Sequence, residues 1–246
     1  METSIATPVD YAKLMAEAAA AAAKTERAPS AFISFRSGIL AIDDQPIPGN
    51  KIKCVILGGL HENDYFPGKF DASTPVSPDC WALSRDEETM APTDEVTNKQ
   101  NYSCHDCPRN QWPATRGQPK ECKNIRRLAL VDAKIITSED ALSAKAWYAR
   151  LPVTSVANWK QYVVQIANVV NRPSWGVVTE LSVVPDIKSQ FKVNFMFHGL
   201  VPDNRLEILS RMSESELKDN LWFPYPKNVA KAEEPAAPTK PASKKF

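Results

Sequence analysis

Four of the five cysteines lie between residues 80 and 122, at Cys80, Cys104, Cys107 and Cys122. The middle two are separated by two residues, a spacing that lets both thiolates reach one ion from a tight turn. The outer two lie 24 residues before and 15 residues after this pair, and can complete a tetrahedral shell. The pattern predicts that these four thiolates bind one Zn²⁺ ion.

The predicted metal has a structural role. The surrounding segment is rich in turn residues and poor in aliphatic ones, so a bound ion would supply the stability that a small apolar core cannot. A catalytic zinc needs an open coordination position and a nearby base, and four thiolates leave no position open. His105, between the paired cysteines, is an alternative ligand. Disulfides are a second alternative, disfavoured because no signal peptide is recognised and a reducing cytoplasm is expected.

Charge is segregated around the cysteines although the whole chain has a net charge of only +1. Residues 61–100 carry nine acidic and three basic side chains, whereas residues 108–127 carry six basic side chains and one acidic one. This asymmetry predicts a local basic patch beside the zinc site.

Aromatic side chains accompany these cations, and single-stranded nucleic acid is bound by base stacking together with phosphate contacts. We therefore predict a nucleic-acid surface made from the cysteine segment and the first two strands. Phe35 is also a candidate for the core, and Arg126 and Arg127 would point to opposite faces of a strand, so at most one of them lies in a given groove. The candidate residues are Phe35, Arg36, Lys53, Tyr102, Arg109, Trp112, Arg116, Lys120, Lys123, Arg126 and Arg127.

No catalytic motif stands out in the sequence. The three histidines are scattered, and there is no phosphate-binding glycine-rich loop. The acidic run Asp86-Glu87-Glu88 could bind magnesium in a nuclease, but charge runs are usually solvated faces. We expect a protein that is not an enzyme.

Hydrophobic periodicity and turn residues define the elements that position these side chains. A bend is expected at Ser37-Gly38, and Cys54 is expected to be a buried, small apolar residue. The predicted helices are 9–26, 154–171 and 203–218, and the predicted strands are 31–42, 51–58, 127–132, 177–184 and 190–198.

This element order predicts a mainly β protein with a five-stranded, OB-fold-like Greek-key barrel, a fold that commonly binds oligonucleotides. A mixed sheet with one packing helix is the alternative. Apolar runs are too short to span a bilayer, so no membrane association is expected. The predicted divisions are an N-terminal helical arm (1–30), a core (31–200) with the zinc-binding insertion at 60–125, a C-terminal helix (201–222) and a disordered tail (223–246).

Four stretches resemble a group of tailed-bacteriophage proteins encoded among replication genes. They are Phe-Ile-Ser-Phe-Arg-Ser-Gly at 32–38, Pro-Gly-Asn-Lys at 48–51, Cys-x-x-Cys-Pro-x-Asn at 104–110 and Cys-Lys-Asn-x-Arg-Arg-Leu-Ala-Leu at 122–130. The resemblance covers roughly residues 31–200, and the two cysteine-containing stretches are its specific part. It implies a single-stranded DNA-binding protein with an OB-fold. The tail departs from the usual acidic pattern: it ends in Phe246, but its last 24 residues hold five lysines and two glutamates.

The expected function is sequence-independent binding of single-stranded DNA in phage replication or recombination, in the cytoplasm of the host cell. Replication proteins are a second class of expected partner. The alternative is an interaction protein, in which the zinc-stabilised segment docks on a phage or host replication or transcription factor through its basic patch.

Overall fold

The computed structural model describes residues 31–68, 77–115, 117–137 and 144–225, together with Tyr11 and Met15. Tyr11 and Met15 are helical and exposed, and the rest of the predicted arm 1–30 lies outside the described residues. Arg116 and the tail from residue 226 also lie outside them. Among the described helices, none combines the length and the hydropathy that a transmembrane segment requires.

The described residues are mainly β and form one mixed sheet of nine strands. Along the sheet the order is β3-β2-β1-β7-β6-β4-β8-β9, and β5 pairs with β4. Two α-helices lie in the range 144–225, α1 (Val153–Gln165, continued by a π-helical turn Ile166–Val170) and α2 (Asp203–Lys218). The strands are β1 (Ala31–Ser34), β2 (Ala41–Ile42), β3 (Gln45–Pro46), β4 (Lys51–Tyr65), β5 (Cys80–Ser84), β6 (Cys122–Asp132), β7 (Trp147–Leu151), β8 (Val177–Asp186) and β9 (Gln190–Leu200).

Most of the predicted elements are present, and the bend at Ser37-Gly38 is confirmed by φ angles of 54° and 75°. The end of the helical segment before Pro173 is also confirmed, because Asn171 takes the left-handed conformation with φ 54°. Nine strands are present rather than the five predicted, because the predicted strand 31–42 is divided into β1 and β2 and because β3 and β5 are additional. β5 pairs in antiparallel register with β4, which continues to Tyr65. β7 was also not predicted, and it pairs in parallel with β1, so that Ile33 lies opposite Ala149.

The chain divides into two compact units. Unit 1 contains the chain up to Gly58 together with Leu128–Glu216, and unit 2 contains Gly59–Arg127 together with the chain from Leu217 onward. The first segment of unit 2 begins and ends within two residues of the predicted insertion 60–125. The C-terminal helix, predicted as a separate element, belongs to unit 1 for nearly all of its length.

The core of unit 1 is built from alternate residues of its strands and from the inner face of α1. Trp159 and Tyr162 of α1 pack against Phe195 of β9, with ring centroids 5.3 and 5.8 Å from the Phe195 ring. Cys54 is fully buried in this core, and burial, followed by the nearby charge of Asp132, raises the pKa of its thiol. The prediction that Cys54 is an apolar core residue is therefore confirmed.

Side chains of α1 also bond the backbone of β9, the last strand of the sheet. The Ser155 hydroxyl accepts a hydrogen bond from the Val193 N–H at 2.9 Å. The Asn158 amide donates to the Val193 carbonyl at 3.0 Å and to the Asn194 side chain at 2.7 Å. The helix thus satisfies polar groups that an edge strand otherwise leaves open.

Unit 2 has its own core, which includes the end of the described chain. Trp81 packs edge-on against Tyr225, with ring centroids 5.6 Å apart. The Tyr225 hydroxyl lies within hydrogen-bond distance of two carboxylates, 2.7 Å from Glu62 and 2.9 Å from Asp64. The prediction of a disordered tail from residue 223 is therefore wrong for 223–225, because aromatic packing and buried carboxylates fix these residues.

Candidate nucleic-acid interface and cysteine cavity

The four predicted zinc ligands line one small cavity of about 20 Å³ in unit 2. All four are reduced and at most 9% exposed. Strand pairing brings Cys80, at the start of β5, opposite Tyr65, while Cys122 begins β6. A volume of this size holds one water or one ion rather than an organic ligand. The structure therefore brings together the cysteines that the spacing predicted to share an ion.

In the cavity, burial disfavours the ionised form of the cysteine thiols. Burial raises the pKa of Cys104 to about 11, against a hydrogen bond from the Asn63 carboxamide that lowers it. Burial also raises the pKa of Cys122 to about 12, with smaller contributions from Cys104 and Asp64. The pKa of Cys80 is raised by the same cause. A cation in the cavity would reverse this balance, because a metal ion deprotonates the thiols that bind it.

The thiols have not closed around a common centre. Within the described ranges, no group of three or more His, Cys, Asp or Glu side chains is arranged to hold a metal ion. Four thiolates on a tetrahedral zinc stand about 3.8 Å apart, as follows from a zinc–sulfur bond of about 2.3 Å. Neutral thiols have no attraction that draws them to this separation. The donor set, its burial and the size of the cavity fit zinc.

His105 is not among the residues that line the cavity. Its side chain is 72% exposed and its Nδ1 lies 2.9 Å from the Asp106 carboxylate. The Cys104–Cys107 turn is instead held by backbone bonds, from Cys104 N–H to the Met90 carbonyl and from Asn110 N–H to the Cys107 carbonyl, both at 2.9 Å.

Several predicted nucleic-acid residues of unit 2 form cation–aromatic pairs. The Lys120 ammonium lies 5.6 Å from the centre of the Trp112 ring, and Trp112 is 73% exposed. The Lys123 ammonium lies 5.1 Å from the centre of the Phe66 ring. Such pairs offer a π-face for a base beside a charge for a phosphate.

Two further candidates of unit 2 differ in how accessible they are. Tyr102 is 88% exposed, the largest exposure among the predicted aromatic residues. Arg109 is half-buried, with its guanidinium 5.2 Å from the Tyr65 ring centre and 2.6 Å from the Glu121 carboxylate. Arg109 is therefore less available to a phosphate than Lys120 or Lys123, because Glu121 already neutralises it.

Three of the predicted contacts are wrong, because their side chains are buried. Phe35 is 5% exposed and belongs to the core of unit 1. Arg126 is 4% exposed and pairs with Glu87 at 3.3 Å, and burial lowers its pKa. Arg127 is 1% exposed and pairs with the fully buried Glu62 at 2.7 Å. Because both arginines are buried, neither lies in an open groove.

Arg36 and Lys53 are exposed in unit 1, and Lys53 lies opposite Glu180 in the β4–β8 register. They are available for a ligand but do not share a unit with the cation–aromatic pairs. Arg116 lies outside the described residues.

The acidic run takes part in local contacts. Asp86 accepts bonds from the Glu88 N–H at 3.0 Å and from the Thr89 hydroxyl at 3.1 Å. These bonds lower the pKa of Asp86. Glu87 is held by Arg126. The carboxylates are arranged as a turn and an ion pair rather than as a magnesium site.

Three asparagines in unit 2 were not recognised as site residues from the sequence. Asn63, Asn110 and Asn124 form a hydrogen-bonded cluster between Cys104 and Lys120. Two of them belong to the motifs at 104–110 and 122–130, which is the signal that could have found them. Asn63 carries no such signal, since it lies 61 residues from its partner Asn124.

No family model, curated protein or solved structure matches the chain.

Proposed function

We propose that the protein binds single-stranded DNA without sequence preference, through the cation–aromatic pairs of unit 2. The observation that carries this proposal is the exposed Trp112 ring with the Lys120 ammonium beside it. Stacking on an aromatic face is sequence-tolerant because every base has a π-face, and a neighbouring cation neutralises the phosphate. Tyr102 supplies a second exposed ring, and Lys123 a second cation.

The proposal includes a structural Zn²⁺ held by Cys80, Cys104, Cys107 and Cys122. The shared cavity, the burial of the four thiols and the absence of a disulfide among them support it. When bound, the ion would cross-link the three stretches of unit 2 that carry Cys80, the Cys104–Cys107 pair and Cys122. These stretches contain few apolar residues that could hold them together. The proposed function includes no catalytic role.

An OB-like barrel remains part of the proposal. The position of α1 supports it, because α1 follows the central strands and precedes the β8–β9 hairpin, as the helix of an OB-fold does. The resemblance to phage replication proteins points to the host cytoplasm and to replication proteins as further partners.

A salt titration with labelled oligonucleotides tests the binding function. We expect tight binding to single strands, weaker binding to duplex DNA and an affinity that falls steeply with salt. Trp112→Ala should weaken binding about tenfold to a hundredfold, matching about 1–3 kcal/mol per stacked base, while Trp112→Phe keeps most of the affinity. Lys123→Ala should lower the salt slope by about one unit.

Lys134→Ala is the matched control, since its side chain is 89% exposed and belongs to unit 1. It should leave the affinity and the salt slope unchanged. Parental affinity in both Trp112→Ala and Lys123→Ala would overturn the proposed surface. A lack of binding at low salt would favour the alternative, a docking module for an acidic protein.

Metal analysis tests the zinc site. We expect one zinc per chain in protein purified without chelator, and loss of the metal in Cys107→Ser. Cys54→Ser is the matched control, because Cys54 lies in the core of unit 1 and should not affect the metal content. Parent protein without bound zinc, and with no uptake on addition of Zn²⁺, would contradict the site.

A further inference from the structure

A chain of side-chain hydrogen bonds connects the cysteine cavity to the Lys120–Trp112 pair. Lys120 Nζ donates to Asn124 Oδ1 at 3.3 Å. Asn124 Nδ2 donates to Asn63 Oδ1 at 2.5 Å and to Asn110 Oδ1 at 2.9 Å. Asn110 Nδ2 then donates to the Cys104 carbonyl at 2.8 Å, and the Asn63 carboxamide bonds the Cys104 side chain. Asn124 is the branching point of this relay.

The direction of every bond in the relay follows from its first member. An ammonium can only donate, so the atom of Asn124 that faces Lys120 is its oxygen. Its nitrogen must then face Asn63 and Asn110, whose facing atoms must be oxygens. The remaining amide nitrogens of Asn63 and Asn110 therefore point toward Cys104. The relay delivers N–H donors to both the carbonyl and the sulfur of one predicted zinc ligand.

A metal-bound thiolate is a better partner for such a donor than a neutral thiol, since charge-assisted hydrogen bonds are shorter and stronger. Donors of this kind fix the orientation of metal ligands and adjust the affinity for the metal. Asn124 also accepts a hydrogen bond from the Lys120 ammonium, which lies beside the exposed indole of Trp112.

We propose that Asn124 is a positioning residue that couples occupancy of the cysteine cavity to nucleic-acid binding at Lys120 and Trp112. Both halves rest on the proposed function, the first on the proposed zinc site and the second on the proposed nucleic-acid binding. Zinc binding strengthens the bonds at Cys104, and the relay then restrains Asn124 and Lys120 in the arrangement that meets a phosphate. Because coupling between two binding sites is reciprocal, single-stranded DNA raises the affinity for zinc by the same factor as zinc raises the affinity for DNA.

The test measures zinc affinity by competition with a chelating dye, and oligonucleotide affinity with and without zinc, in the full-length protein. Asn124→Ala should lower zinc affinity about 10–100-fold although all four cysteines are retained. The ratio of the two oligonucleotide affinities, with and without zinc, should fall toward one in this variant. Asn124→Asp is a second variant of nearly the same shape, which still accepts from Lys120 but cannot donate to Asn63 or Asn110.

Asn158→Ala is the matched control, because Asn158 also donates two side-chain hydrogen bonds but does so in unit 1. It should leave zinc affinity and the coupling ratio unchanged. Circular dichroism on each variant establishes that it is folded. If Asn124→Ala does not fold, Asn124→Asp carries the test.

The experiment tests the link to the metal and the link to nucleic-acid binding separately. Parental zinc affinity and an unchanged coupling ratio in a folded Asn124 variant would overturn the relay and leave the proposed function standing. Lower zinc affinity in the variant, with a parent protein that binds no oligonucleotide, would support the relay toward the metal and overturn the nucleic-acid function. A parent protein that binds no zinc would overturn the relay.

Discussion

At the scale of single residues, Arg127 is the clearest departure from the sequence-based expectation. Its guanidinium donates to the Leu221 and Phe223 carbonyls and to Glu62, and it lies 4.1 Å from the centre of the Phe223 ring. A cation in a basic stretch is expected at the surface, and its burial depends on partners at residues 62 and 221–223. Those partners are distant in the sequence, so a local charge pattern could not identify them.

Arg127→Met should destabilise the protein by about 3–5 kcal/mol, because it leaves the carboxylate of Glu62 buried and without its charge partner. The free energy of unfolding in urea measures this loss. Arg211→Met is the matched control, because Arg211 pairs with Glu207 where the two side chains are 77% and 80% exposed. An exposed pair of this kind contributes about 0.3–0.5 kcal/mol. Equal losses in the two variants would contradict the buried-pair assignment.

The part of the candidate site that depends on the spacing of the cysteines along the sequence was predictable. The two-residue spacing of Cys104 and Cys107 predicts a turn, and the structure places all four cysteines around one cavity. The asparagine relay was not predictable, because an amide has no preferred role until its neighbours are known. Trp112 is exposed, as its place between Gln111 and Pro113 favours, and Tyr102 is exposed as well.

At the scale of secondary-structure elements, the β8–β9 hairpin illustrates what local sequence determines. Both strands alternate apolar and polar residues, so their prediction needed no distant information. The turn is closed by Asp186, whose carboxylate accepts from the Ser189 N–H and hydroxyl at 2.9 and 2.7 Å and pairs with the Lys192 ammonium at 2.9 Å. β5 and β7 were missed because each is only five residues long, too short to establish a period.

Asp186→Asn should lower stability at pH 7, and the difference from the parent should shrink as the pH falls. The Lys192 ammonium and then the Ser189 bonds hold the pKa of Asp186 below its usual value. A depressed pKa in the folded state adds stability that is present above the unfolded pKa of about 3.9 and is lost as the pH falls through the folded pKa. Urea unfolding of both proteins between pH 7 and pH 3 measures the gap.

Two nearby lysines provide the comparison for this prediction, and Lys188 is the control. Lys192→Met should reproduce part of the effect, because it removes the ammonium that Asp186 contacts. Lys188→Met should not, because Lys188 bonds Asp186 through its backbone N–H at 3.2 Å. A gap between parent and Asp186→Asn that stays constant over the pH range would refute the assignment.

At the scale of the whole molecule, the mainly β class was predictable and the strand order was not. Strand content follows from residue types and periodicity, but the parallel pairing of β1 with β7 joins Ala31 to Trp147, which are 116 residues apart in the sequence. Likewise, composition alone indicated a tail from Phe223, and only the contacts of Phe223 and Tyr225 place the boundary later.

Two truncations test this boundary. A chain that ends at Asn220 should be less stable than one that ends at Pro226, because the shorter chain lacks the buried Leu221 and the aromatic residues that cover Arg127 and Glu62. The loss should be several kcal/mol, comparable to breaking a buried pair. Thermal unfolding of the two purified chains makes the comparison, and equal midpoints would show that residues 221–226 are dispensable.

Unit 2 is made of two separate stretches of the chain, and this affects the order in which it can fold during synthesis. Arg127 and the Leu221 carbonyl that it bonds are separated by 94 residues, nearly all of which belong to unit 1. At about 5–20 residues per second, a ribosome takes about 5–20 s to make that stretch. During this interval the guanidinium of Arg127 is hydrated while all four cysteines have already been synthesised. The buried contacts of Arg127 can therefore form only after Leu221 and Phe223 have been translated, whereas the four cysteines are available to the proposed Zn²⁺ ion earlier.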